Sequence, residues 1–159
     1  SAIKGFLNSA GDQDVNYINA ELKLKELGVK LTESKSTHLD KYTNLITVKF
    51  TNVNKELAVS GTVFAKDVIR IVDFFGYQLD FEPTPHVIAI QNMDVPGMIG
   101  KVGTLLGEND INIAAMQWSR NRRGEKAVSF ISVDAEISDD ILKRLLQIDG
   151  ILKASRLHF

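Results

Sequence analysis

The apolar positions change period along the chain, and the changes mark its elements. Across residues 14–27, Val15, Ile18 and Leu22 fall on one stripe, which Ala20, Leu24 and Leu27 broaden. That spacing predicts a helix facing a core, with Gly28 as its stop. The period then shortens to two. Ile46, Val48 and Phe50 alternate with polar neighbours across residues 44–50, Asn52-Val53-Asn54-Lys55 reads as a turn, and Leu57, Val59, Gly61 and Val63 alternate back. Residues 69–72, a break at Phe75-Gly76, and Tyr77, Leu79 and Phe81 set against Gln78, Asp80 and Glu82 predict a second hairpin. This first part reads as an antiparallel sheet with one or two helices on a face.

Glu82-Pro83-Thr84-Pro85 holds two of the three prolines and reads as an extended linker. It suggests domains over 1–84 and 85–159. In the second, residues 87–90 form an apolar strand, and Asp94-Val95-Pro96-Gly97 is a turn opening a helix at Pro96. Met98, Ile99, Val102, Leu105 and Leu106 make that helix's buried stripe, and Asn109-Asp110 ends it. Strands follow at 111–118 and 127–134, joined by a polar tip over 120–126. Ser138 caps a second helix carrying Ile141, Leu142, Leu145, Leu146 and Ile148, Gly150 stops it, and 151–157 is the last strand. The order βαββαβ is ferredoxin-like, so the fold class expected is α+β: an antiparallel sheet with helices, then a ferredoxin-like domain.

Composition narrows the function. The 159 residues carry a formal net charge of −1, with 10 basic and 11 acidic residues before His86 and nine of each from it onward. Neither half has the basic excess of a nucleic-acid binder. No apolar run reaches the roughly 18 residues of a membrane span, and no signal-peptide pattern opens the chain. With no cysteine there is no disulfide, thiol nucleophile or cysteine-ligated metal, and a cytoplasmic setting fits. The chain starts at Ser1-Ala2 and runs straight into Ile3-Lys4-Gly5-Phe6-Leu7, which reads as a piece of something longer.

Catalytic chemistry finds no support. His38, His86 and His158 sit in separate elements, and no nucleophile-elbow spacing surrounds any serine. Metal-ligand spacings are missing, and Asp139-Asp140 after Ser138 reads as complementing a helix dipole. Gly100-Lys101-Val102-Gly103-Thr104 lacks phosphate-loop spacing, so Gly100 and Gly103 are expected to admit a close neighbour instead. Arg120, Arg122 and Arg123 read as a solvated tip, and Trp118 as core or interface. What remains is the turn at 92–97. The first N–H groups of the following helix suit a carboxylate, Gly97 lets a ligand near the backbone, Asp94 suits an ammonium, and Asn92 and Asn112 offer amides. Together with Pro96, Met98 and Ile99 at the same turn, these residues could receive a free amino acid. Equally, Asp94 and Asn112 could merely satisfy turn backbone.

The stretch Asp94-Val95-Pro96-Gly97-Met98-Ile99-Gly100-Lys101-Val102-Gly103-Thr104-Leu105-Leu106-Gly107, followed by Ile111-Asn112-Ile113, resembles the ACT domain ending many D-3-phosphoglycerate dehydrogenases. Val15-Asn16-Tyr17-Ile18-Asn19-Ala20, Glu33-Ser34-Lys35-Ser36 and Gly61-Thr62-Val63-Phe64 resemble the intervening, or allosteric substrate-binding, domain of that family's longer members. The resemblance implies a regulatory fragment of an enzyme that oxidises 3-phosphoglycerate with NAD in L-serine synthesis. The fragment itself would have no catalytic residues, no metal and no cofactor, with NAD held by a missing catalytic part. L-Serine would be the effector, bound between ACT domains of a homo-oligomer, with Asn92 and Asp94 from one subunit and Asn112, backed by Ile113, from the other. Neither nucleic acid nor membrane is implied as a partner. Arg70 falls at a position of a second anion site in some relatives, whereas Gln78, Glu82 and Ser132 stand where His or Arg is expected. Two other readings share these domains: the regulatory portion of an L-serine dehydratase, and a dimerisation module without ligand.

Overall fold

The computed structural model describes residues 4, 7–8, 14–16, 18–35, 42–64 and 68–159. Ile3, Gly5, Phe6, Tyr17, Ser36 and His38 lie outside the described residues. Contacts divide the chain into two compact units, Ser1–Lys41 and Tyr42–Phe159.

In the first unit the helix is α1, Ala20–Glu26, shorter than the apolar spacing predicts. Asn16 and Asn19 hold a turn in its place. Asn16 Oδ1 accepts from the N–H of Ile18 and of Asn19, and Asn19 Oδ1 from that of Asn16. Such side-chain bonds compete with helical ones, so the helix starts after them. The buried set is Leu7, Val15, Ala20 and Leu24. Ile18 is 93% exposed, and Leu22 and Leu27 are also exposed, which corrects the expected stripe. Gly28 ends α1 at φ 71°, with its N–H on Lys25 O and that of Val29 on Leu24 O, a Schellman stop.

The second unit holds two four-stranded sheets. The first is β1 (Ile46–Thr51), β2 (Glu56–Phe64), β3 (Val68–Phe74) and β4 (Tyr77–Phe81), antiparallel in chain order. Asn52 Oδ1 closes the β1–β2 turn by accepting from the N–H groups of Asn54 and Lys55. Phe75 and Gly76 both have positive φ, 54° and 85°, the backbone of a two-residue turn that matches strand twist. In the second sheet, β5 (Val87–Met93), β6 (Ile113–Arg120), β7 (Lys126–Val133) and β8 (Ile151–Leu157) run in the order β6-β7-β5-β8. Helices α2 (Met98–Gly107) and α3 (Asp139–Leu146) complete the βαββαβ order.

One face of the second sheet packs Ile88, Ile90 and Ile131 with Met98, Val102, Leu106 and Leu145 from the helices. The opposite face puts Val87, Val128 and Phe130 with Leu79 and Phe81 of β4. Phe130 meets Phe74 edge-on at 4.9 Å between centroids and Phe81 at 5.2 Å. This shared core places both sheets in one compact unit.

Three helical expectations need correction. Helix α2 begins at Met98 and not at Pro96, because Gly97 takes the N-cap position at φ 85°, outside helical dihedrals. Ile99 is 54% exposed and Leu146 is exposed too, so neither joins the buried stripe. The close approach expected at Gly100 and Gly103 is also missing: a Cβ at either would meet nothing within 4 Å. Ser138 caps α3 as its sequence implies, accepting from Ile141 N at 3.3 Å. Asp139 in the first turn of α3 also pairs with Arg156 at 2.6 Å.

Candidate effector site

The loop between β5 and α2 is pinned from two sides. Met93 N–H donates to Gly150 O, in the turn before β8, at 2.8 Å. Asp94 N–H donates to Glu125 O in the β6–β7 tip, also at 2.8 Å. The Asp94 side chain reinforces the second tie: its Oδ2 accepts from Arg120 Nη1 at 2.7 Å and from Gly124 N at 3.1 Å. The hydrogen bond from Arg120, then that from Gly124, holds the Asp94 carboxyl below its ordinary value; burial offsets part of this, and the charges of Arg120 and Arg123 add a smaller lowering.

An open pocket of about 400 Å³ lies beside this loop. Asp94, Pro96, Gly97, Met98 and Ile99 line it, and so do Val95, Gly100, Trp118 and Arg120. No side chain caps the α2 N-terminus that borders it. The pocket therefore combines a helix's positive end, a guanidinium, a carboxylate and an apolar wall. That chemistry suits a small molecule carrying a carboxylate together with an ammonium.

Asn92 stands apart from the lining. It is 0% exposed, and its Nδ2 donates to Met93 O at 2.7 Å, while its Oδ1 has no hydrogen-bond partner among the described residues. Among the described residues, no group of three or more His, Asp and Glu is placed to hold a metal.

Two family models match. Residues 1–75 fit the D-3-phosphoglycerate dehydrogenase intervening domain, and residues 86–150 fit the ACT domain. The chain joins a phosphoglycerate dehydrogenase intervening domain to an ACT domain. It is similar to D-3-phosphoglycerate dehydrogenase of Bacillus subtilis, at 39% identity over 94% of the chain and 29% of that protein. The enzyme of the same name from Synechocystis is 32% identical over 97% of the chain and 28% of its own length. The chain thus spans less than a third of these relatives. Among solved structures, the ACT domain from GTP pyrophosphokinase of Chlorobium tepidum aligns with 51% of the chain and 99% of its own, at 18% identity and a TM-score of 0.38.

Within the ACT domain, Asn112 and Ile113 do not join the pocket. Asn112 precedes the start of β6, whose last residue, Arg120, is in the pocket wall. Eight residues of strand separate the two by roughly 25 Å. Asn112 Nδ2 donates instead to Asp134 Oδ2 at 2.7 Å. In the intervening domain's sheet, Arg70 pairs with Glu82 at 3.1 Å and with Asp80 at 3.7 Å, so carboxylates already meet its charge. Trp118 and Arg120 are the pocket residues of β6 that the motif reading missed. Their signal was the two-residue period of β6, which puts both on one face. That face also carries Ile131 and Ser129 of the neighbouring strand, paired with Met116 and Trp118.

Proposed function

We propose that this chain is the regulatory part of a D-3-phosphoglycerate dehydrogenase, and that its ACT domain binds L-serine between two copies for feedback inhibition. The observation that carries the reading is the pocket itself. Asp94 and Arg120 face a helix N-terminus, while Asn112 sits at the far end of the same edge strand. β6 is an edge of its sheet, and a two-fold pairing of β6 with its copy would run antiparallel. The start of one β6 would then meet the end of the other, and Asn112 of one copy would approach the pocket of the next. The stripe Gly100, Gly103 and Gly107 on α2 supports the same pairing, since a Cβ at any of them meets nothing within 4 Å among the described residues. The oxidation of 3-phosphoglycerate and the binding of NAD belong, on this reading, to a catalytic part outside this chain, in the cytoplasm. No helix among the described residues is long and apolar enough to cross a membrane.

Thermal unfolding with L-serine tests the proposal. At about 100 times its Kd, a ligand that binds only the folded state adds about 2.7 kcal/mol, an increase of roughly 5–10 °C in Tm for a chain of this size. An unchanged Tm at millimolar serine, in a chain that sediments as a dimer, would instead favour the ligand-free dimerisation module.

A further inference from the structure

We propose that Arg120 is the carboxylate-recognition residue of the pocket, and that an α-amino acid enters by inserting its two charges into the Asp94–Arg120 pair. The inference rests on reading the pocket as an amino-acid site. In the structure the guanidinium occupies the Asp94 oxygen that also accepts from Gly124, at 2.7 Å. Asp94 Oδ1 accepts no hydrogen bond among the described residues. The Asp94 side chain is 17% exposed and that of Arg120 54% exposed, so the carboxylate is the more enclosed partner and the guanidinium the one solvent reaches. Solvent-exposed pairs of this kind are weak and open at small cost. An incoming ammonium takes Asp94, and the released guanidinium, whose fork fits a carboxylate in bidentate fashion, takes the other end of the ligand.

A second observation concerns the sheet face that carries Arg120. Asn92 and Arg120 flank Ala127 in one cross-strand row, each paired with it, and so all three point to the same face of the sheet. Among the described residues Asn92 Oδ1 has no hydrogen-bond partner and neither has Ser129 Oγ, one step along that face; both residues are buried. Ala127 between them adds no bulk. The row therefore carries the Arg120 cation on the same sheet face as Asn92 and Ser129, which are buried and lie outside the pocket lining.

Calorimetric titration of the 159-residue chain and of Arg120→Gln, each with L-serine and with L-serinamide, tests the inference. Serinamide keeps the ammonium and hydroxyl but lacks the carboxylate. Loss of one charge-assisted contact predicts that Arg120→Gln weakens L-serine about 10- to 100-fold and leaves serinamide within about twofold. Equal weakening of both ligands, or of neither, overturns the role of Arg120 while the amino-acid reading stands. Absence of any L-serine heat with the unmodified chain overturns that reading and this inference with it. Arg120→Lys, which keeps the charge but not the fork, recovers only part of the L-serine affinity if the geometry is as described; full recovery would show a simple charge effect and overturn the bidentate assignment.

Discussion

At single residues, conformation and charge make different demands. Gly150 has φ 95°, and a Cβ there would lie 2.6 Å from Met98 Cε. Met98 is buried at the start of α2, so it cannot swing into solvent. Gly150→Ala should therefore cost about 2 kcal/mol, from left-handed strain plus displacement of Met98, read as a lower urea midpoint with unchanged slope. Gly97 also has a left-handed φ, but open space surrounds its Cβ position. Gly97→Ala should cost about 1 kcal/mol, by strain alone. Asp94 gives a pH signature. Its carboxyl value is depressed in the folded state, so its contribution is complete above the unfolded value near 3.8 and is lost as pH falls through the lower folded value. The stability difference between the chain and Asp94→Asn should shrink below about pH 4; a difference constant down to pH 2 would contradict the Arg120 and Gly124 contacts. Asp94 was legible as a pocket residue from the sequence, but its partner was not. Arg120 lies 26 positions away, and only the β6–β7 pairing brings it back.

At the scale of elements, strands were easier to read than helices. A period of two permits only one alternative face, so β2, β4 and β8 follow from alternation and turn residues. Helical stripes are broader, and local side-chain bonds can override them. Asn16 and Asn19 shorten α1 and leave Ile18 and Leu22 outside the core, while the left-handed Gly97 delays α2 to Met98. Helix α3 was the clearest helix because its cap is a side chain with a known role. Ser138→Ala removes the bond to Ile141 N and should cost about 1 kcal/mol. Thermal unfolding checks it, and Ser138→Asp should restore most of the loss. A neutral Ser138→Ala would mean that the Asp139–Arg156 pair holds the α3 start without the cap.

For the whole molecule, the near-neutral charge and the two small sheets make sense together. Each sheet is small, and the Phe74, Phe81 and Phe130 contacts let them share one core. The same assembly leaves β6 as an edge and α2 with exposed Ile99 and open glycines. The sequence could not reveal that Asn112 and the pocket lie at opposite ends of β6, since a motif gives spacing and not direction. The proposed antiparallel pairing of two copies would reconcile them, and on that proposal Asn112→Ala should weaken serine about 10-fold or more while leaving the sheet intact. The most direct test is isothermal titration of the 159-residue chain with L-serine. The account predicts saturable heat at one serine per chain, diminished in Asn112→Ala, while the absence of heat at millimolar serine would contradict it.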